Sequence, residues 1–290
     1  MDSVYTTAAG RAAGLSDWEL FRAGVRRPTR GVRSTRQRPA VSDVVARCRE
    51  VHPVLPRTAV FSHATALDLL GIDRPRGLSE PDALHVLVPP TTVPPRRAGL
   101  VAHQGMLLSD RLSRVRGLPV LMPQETWLRL AAELPADEVV VLGDALLRRQ
   151  RPWCDLESLS QMAAQLPRRF RGITRLRDAV PQLRSGTDSC QETRLRLRLV
   201  AAGLPCPEVN RSVFGPDGRF VALPDLSYPR FRLAIEYDGD LHLTEPRVWR
   251  RDEARRRALY ALGWRILHAT ADDIRDPTDL VRTVRSALRL

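Results

Sequence analysis

Residues 223–239 read Leu-Pro-Asp-Leu-Ser-Tyr-Pro-Arg-Phe-Arg-Leu-Ala-Ile-Glu-Tyr-Asp-Gly. One acid, Asp225, precedes a short apolar run that ends in two more, Glu236 and Asp238. An extended strand sends successive side chains to opposite faces. Leu233, Ile235 and Tyr237 then share one face, and Ala234, Glu236 and Asp238 the other. The two carboxylates lie about 7 Å apart along the strand. Like charges this close are costly in a fold unless a cation or a basic partner neutralises them. A divalent metal ion is the economical neutraliser, and hard carboxylate oxygens suit Mg²⁺ or Mn²⁺.

The elements that must position these acids follow from the surrounding pattern. Cys190–Ala202 reads as a helix and Glu208–Phe214 as a strand, and Pro216-Asp-Gly218 is a hairpin turn. Phe220–Ser227 and Phe231–Asp238 read as further strands, then Pro246–Leu262 as a helix, Trp264–Thr270 as a strand and Asp276–Leu290 as a closing helix. The order α-β-β-β-α-β-α implies a small mixed sheet flanked by helices, in a chain of α+β class.

That order and its motifs resemble the PD-(D/E)XK nuclease fold, in the branch related to the very-short-patch repair endonuclease. The resemblance covers about residues 187–290. It is carried by Glu192, Pro224-Asp225, Ile235-Glu-Tyr-Asp-Gly-Asp-Leu-His242, Trp249-Arg-Arg-Asp-Glu-Ala-Arg255, Leu262-Gly-Trp-Arg-Ile-Leu267 and Ala271-Asp-Asp-Ile274. It implies hydrolysis of DNA phosphodiester bonds with Mg²⁺ or Mn²⁺, Asp225 as central metal ligand, and Glu236 and Asp238 as further ligands. Glu192 would reach the same ion or its water shell. The family pattern has a lysine two residues after Glu236, where this chain has Asp238. The named branch uses histidine instead, which makes His242 the proton-transfer candidate. Arg251 and Arg255 would steady phosphate charge but cannot act as bases.

Plainer roles remain open for the same residues. Ser189-Cys-Gln-Glu192 also fits a helix capping box. Asp238-Gly239 also fits a strand-ending turn, Asp225 a turn cap after Pro224, and His242 a surface loop. Trp249, Trp264 and Ile266 fall at core spacing.

Toward the N-terminus, Thr6–Ala13 and Asp17–Arg22 read as two short helices around Gly14-Leu15, with Ser16 as N-cap. A hairpin of this size is compatible with a helix-turn-helix reader of DNA. The basic run that follows supplies Arg26, Arg27 and Arg30 as phosphate contacts; Arg250, Arg251 and Arg255 would do the same near the C-terminus. Residues 1–39 are expected to form this module and residues 40–186 an α+β domain with its connector. The N-terminal two thirds resembles AbiEi-type antitoxin-like winged-helix proteins, which implies a place in toxin–antitoxin biology. Ser42–Glu50, Ser62–Leu70, Pro123–Leu134 and Asp137–Arg149 have helical spacing, and Ala83–Val88 and Gly99–His103 that of strands. His63 and Thr65 are expected to cap and pack, and His85 and His103 to be buried structural histidines.

Bulk composition narrows the partners. The 46 basic residues are all arginine and the net charge is +13, a balance that favours polyanions such as nucleic acid. All-arginine usage is also what a high-GC coding sequence produces. Cys48, Cys154, Cys190 and Cys206 form no CxxC pair, and the six histidines no HExxH cluster. With no long apolar run and no signal-peptide pattern, a cytoplasmic bacterial protein without membrane contact is expected. A non-catalytic DNA-binding regulator that keeps the nuclease fold is the competing expectation.

Overall fold

A computed structural model of the chain describes residues 4–78, 82–239 and 255–290. The protein mixes helices and sheets in two compact units, Met1–Leu134 and Pro135–Leu290. Among the described residues no helix is long and apolar enough to cross a membrane.

In the first unit, β1 (Val4–Thr6) leads into α1 (Thr7–Ala12) and α2 (Asp17–Phe21), and β2 (Val32–Ser34) pairs back antiparallel with β1. The reversal between the helices uses Gly14 at φ +87°, a conformation glycine adopts without steric cost. Ser16 and Glu19 close a reciprocal capping box on α2. Gly10 lets the helices touch, because a Cβ there would lie 2.6 Å from Leu20 Cδ2.

The rest of this unit is α3 (Val44–Val51), β3 (Val60–Phe61), α4 (His63–Leu70), β4 (Leu84–Val88), β5 (Leu100–Gln104), β6 (Ser113–Val115), β7 (Leu118–Val120) and α5 (Pro123–Leu130). The strands form one mixed sheet in the order β5-β4-β3-β7-β6. Phe61, Ala66, Leu84, Val86, Leu118 and Val120 make its buried core.

The second unit opens with α6 (Ala136–Leu146), α7 (Leu156–Gln165), α8 (Ile173–Ala179) and α9 (Cys190–Ala201). The strands β8 (Glu208–Val209), β9 (Val213–Phe214), β10 (Phe220–Ala222), β11 (Leu226–Tyr228) and β12 (Leu233–Tyr237) follow. Helix α10 covers residues 255–261; β13 (Arg265–Ala269), α11 (Ala271–Arg275) and α12 (Thr278–Leu288) complete the chain. The main sheet runs β13-β12-β11-β8, with β13 parallel to β12 and the other neighbours antiparallel. Strand β12 is covered on both sides. Leu233 and Ile235 join a core with Leu195, Leu199, Ile274 and Val284, while Ala234 joins another with Leu259 and Trp264.

Residues 150–187, expected to be a connecting region, are not bare linker: they carry α7 and α8, and the two compact units divide at Leu134/Pro135. Leu159, Ala163, Ile173, Leu176 and Leu183 are buried, and α6 is tied to α9 by Glu138–Arg194 and Asp144–Arg196, each at 2.7 Å. Nor are Glu208–Phe214 and Phe220–Ser227 continuous strands. Each splits between the main sheet and a separate β9–β10 hairpin. Pro224 lacks the N–H that a ladder position needs, which explains the second break.

Candidate functional site

Strands β11 and β12 pair with Leu226 opposite Ile235. One step further along that register sets Asp225 opposite Glu236, where the strands end. Asp225 is fixed there by its backbone and its side chain. Its carbonyl accepts the Asn210 N–H at 2.9 Å, and its Oδ2 accepts the Tyr237 N–H at 2.8 Å. Burial first, and then the charge of Glu192, push the Asp225 carboxyl up to about 7; the Tyr237 N–H pulls the other way, Glu236 adds to the rise and Arg255 opposes it. Glu192 and Glu236 thus both act on Asp225 electrostatically, while the three carboxylates do not form a group with ligand atoms within 4.8 Å of one another.

Glu192 stands in the first turn of α9, where Ser189 Oγ accepts its N–H. Its Oε2 accepts from Asp188 N at 3.0 Å, Asn210 Nδ2 at 3.0 Å and Thr187 Oγ1 at 3.4 Å. The carboxylate thus reaches the amide before the N-cap rather than closing a regular capping box. Glu236 is buried. Its Oε2 is 2.9 Å from Arg255 Nη2, and its Oε1 has no hydrogen-bond partner among the described residues. Glu236 thus has one guanidinium partner and keeps one buried orphan oxygen. Such an oxygen is costly unless something binds it.

Asp238 departs from the expected set. Its amide donates to the Ala269 carbonyl at 2.8 Å, and its Oδ2 lies 2.9 Å from His268 Nδ1 on β13. The parallel register sets His268 beside Glu236. Sequence reasoning passed over His268, although its alternation with Trp264 and Ile266 marks it as sharing the face of Ala234 and Glu236. Asp238 is thus paired with a histidine and half exposed. Arg255, expected on phosphate, is held by Glu236. His242, Arg250, Arg251 and Trp249 lie outside the described residues.

The N-terminal arginines divide. Arg26 is an internal pin: its guanidinium binds the Arg36 carbonyl at 2.7 Å and the Gln37 carbonyl at 3.1 Å, and pairs with Glu50. Its side chain, 27% exposed, is thus engaged by groups of its own fold. Arg27 lies 5.2 Å over the Phe21 ring, with Arg33 4.4 Å over the same ring. Arg30 is exposed. On α2, Trp18 is 71% exposed with Arg22 beside it, so this helix offers solvent an aromatic and cationic face.

A different set of side chains converges more tightly. His63, His103 and Glu133 each offer one ligand atom, and these lie within 4.8 Å of one another, the sole group of three to do so among the described residues. Thr65 does pack as expected, its Oγ1 accepting the His85 N–H at 2.8 Å.

No family model matches the chain, and no solved structure does. Two curated proteins of Mycobacterium tuberculosis do: uncharacterized protein MT2308 of strain CDC 1551 / Oshkosh and uncharacterized protein Rv2248 of strain ATCC 25618 / H37Rv. Each is 30% identical over 233 residues, which is 80% of this chain and 82% of the relative. That span includes residues of both compact units, and on it the chain belongs to the family of these two mycobacterial proteins.

Proposed function

We propose that the protein is a DNA endonuclease whose C-terminal unit hydrolyses phosphodiester bonds with Mg²⁺ or Mn²⁺. The observation that carries this reading is the register that sets Asp225 opposite Glu236 at the ends of β11 and β12, with the orphan Glu236 Oε1 beside it. All-oxygen donors of this kind suit hard divalent ions. The bound ion would supply charge neutralisation at the phosphoryl oxygen and a more acidic water. Asp225 and Glu236 would hold it, with Glu192 at its edge. His268, steadied by Asp238, stands beside Glu236 as the described histidine able to move a proton at Nε2. The β-strand order and the motif resemblance support the PD-(D/E)XK assignment. The helical hairpin with its exposed Trp18 supports a DNA-contacting, antitoxin-like N-terminal module, and the net charge of +13 supports a polyanionic partner.

Incubation of the full chain with supercoiled plasmid and Mg²⁺ or Mn²⁺ tests the reading, beside Asp225→Asn. Metal-dependent nicking by the wild type that Asp225→Asn abolishes is expected. Absence of nicking at every metal concentration rejects it.

One observation favours a second reading. Arg255 already pairs with Glu236, and Asp238 stands where the family pattern has lysine. A non-catalytic DNA-binding regulator would bind DNA equally well in EDTA and in Mg²⁺, and Asp225→Asn would leave that affinity unchanged.

A further inference from the structure

We propose that His63, His103 and Glu133 bind a divalent transition metal ion, with Zn²⁺ the best match, at a site in the N-terminal unit separate from the C-terminal carboxylates. The three residues come from segments far apart in sequence. His63 is the first residue of α4, Glu133 follows α5, and His103 is on β5. Helices α4 and α5 pack together, and the β4–β5 ladder aligns His103 with Leu87 and His85 with Val101, so His85 and His103 share a face. Folding thus assembles the group.

The ligand atoms are already within reach of one ion. His63 Nε2 is 3.7 Å from Glu133 Oε1, and one ligand atom each of His63, His103 and Glu133 lies within 4.8 Å of the other two. The His63 and His103 rings stack at 3.6 Å with 10° between their planes, and an imidazole lone pair lies in its ring plane, so one ring turns as both close onto an ion whose tetrahedral donors sit about 3.3 Å apart. One ring nitrogen of each histidine has a partner outside the three residues. His63 Nδ1 is 3.0 Å from Ser62 Oγ, and His103 Nε2 is 3.0 Å from His85 Nδ1. Metal-binding histidines characteristically spend their second nitrogen this way, which fixes tautomer and ring orientation.

The donor chemistry selects the ion. Two imidazoles and one carboxylate suit zinc and its first-row neighbours, whereas the carboxylates of the C-terminal unit suit Mg²⁺ or Mn²⁺. His63 is buried, but the Glu133 side chain is 34% exposed, which leaves the ion a solvent-facing fourth position for water or a substrate oxygen.

The experiment uses the full chain, stripped with a chelator and dialysed against Zn²⁺ or Co²⁺ in excess Mg²⁺. Wild type and Asp225→Asn should each retain about one zinc ion by elemental analysis, with visible d–d bands of a four- or five-coordinate site in the cobalt form. His103→Gln should lose the bands, and Glu133→Gln should weaken zinc binding about tenfold or more. Both should keep the wild-type far-UV circular dichroism. Zinc retention and cobalt spectra unchanged in Glu133→Gln, or no zinc retained by the wild type, would overturn the proposal. If His103→Gln does not fold, the half-exposed Glu133→Gln decides alone. Loss of zinc in Asp225→Asn together with retention in Glu133→Gln would move the ion to the other unit and also overturn it.

Discussion

Arg255 Nη2 lies 2.9 Å from Glu236 Oε2, so the buried carboxylate at the end of β12 already has a cationic partner. Guanidinium and metal ion would compete for the same carboxylate. Truncating Arg255 leaves Glu236 short of a counter-charge, which a divalent ion can supply. Arg255→Gln should therefore tighten Mn²⁺ binding about tenfold, read by calorimetric titration, a difference of about 1.4 kcal/mol. Weaker binding would mean that Arg255 helps to build the site.

Asp225 gives the metal-free protein a pH signature. Its folded carboxyl is raised to about 7, against about 3.9 in an unfolded chain. Between these values the folded state holds the extra proton, so stability falls as pH rises from about 4 to about 7 and then levels off. The loss is on the order of a few kcal/mol, because about three pKa units separate the states. In EDTA, Asp225→Asn should be more stable than wild type at pH 8 and lose that advantage near pH 4. Urea melts at the two pH values check this; a gap that widens toward acid would contradict it.

Much of the second sheet is legible in sequence because β12 buries both faces. Leu233 and Ile235 alternate with Ala234 and Glu236, and the two sets pack against different cores. The paired carboxylates inherit their geometry from that alternation. What stays hidden depends on partners distant in sequence. Arg194 and Arg196 bind Glu138 and Asp144 of α6 in the interior, partners some fifty residues away that no local pattern announces. Nothing local to Asp238 reveals His268 as its partner, since the parallel β12–β13 register creates that contact. The histidine group is illegible for the same reason: His63, His85 and His103 have no motif spacing and meet only through α4 and the β4–β5 ladder.

The N-terminal arginines should separate by phenotype. Arg26 is consumed by two backbone carbonyls and Glu50, so Arg26→Ala should lower the melting temperature. Arg30 is exposed, and under the DNA-binding reading its loss should cost one phosphate contact. Arg30→Ala should then reduce the slope of log affinity against log salt by about 1 with melting unchanged. Fluorescence anisotropy across a salt series measures it. An unaltered slope would remove Arg30 from the interface.

The Arg196–Asp144 pair anchors the helices on which Glu192 rides. Both side chains are almost wholly buried, and Asp144 also accepts the Arg184 N–H at 2.8 Å and the Thr193 hydroxyl at 3.1 Å. Burial drives the Asp144 carboxyl upward while Arg196 and these donors oppose the rise. Removing the guanidinium alone leaves a charge in the interior without its main partner, a change that typically costs about 3–5 kcal/mol. Arg196→Met should show that loss in urea denaturation. Adding Asp144→Asn keeps an acceptor for Arg184 and Thr193 but removes the stranded charge, so the double variant should recover most of it. Equal destabilisation in the single and double variants would assign the cost to packing around the Arg196 side chain instead.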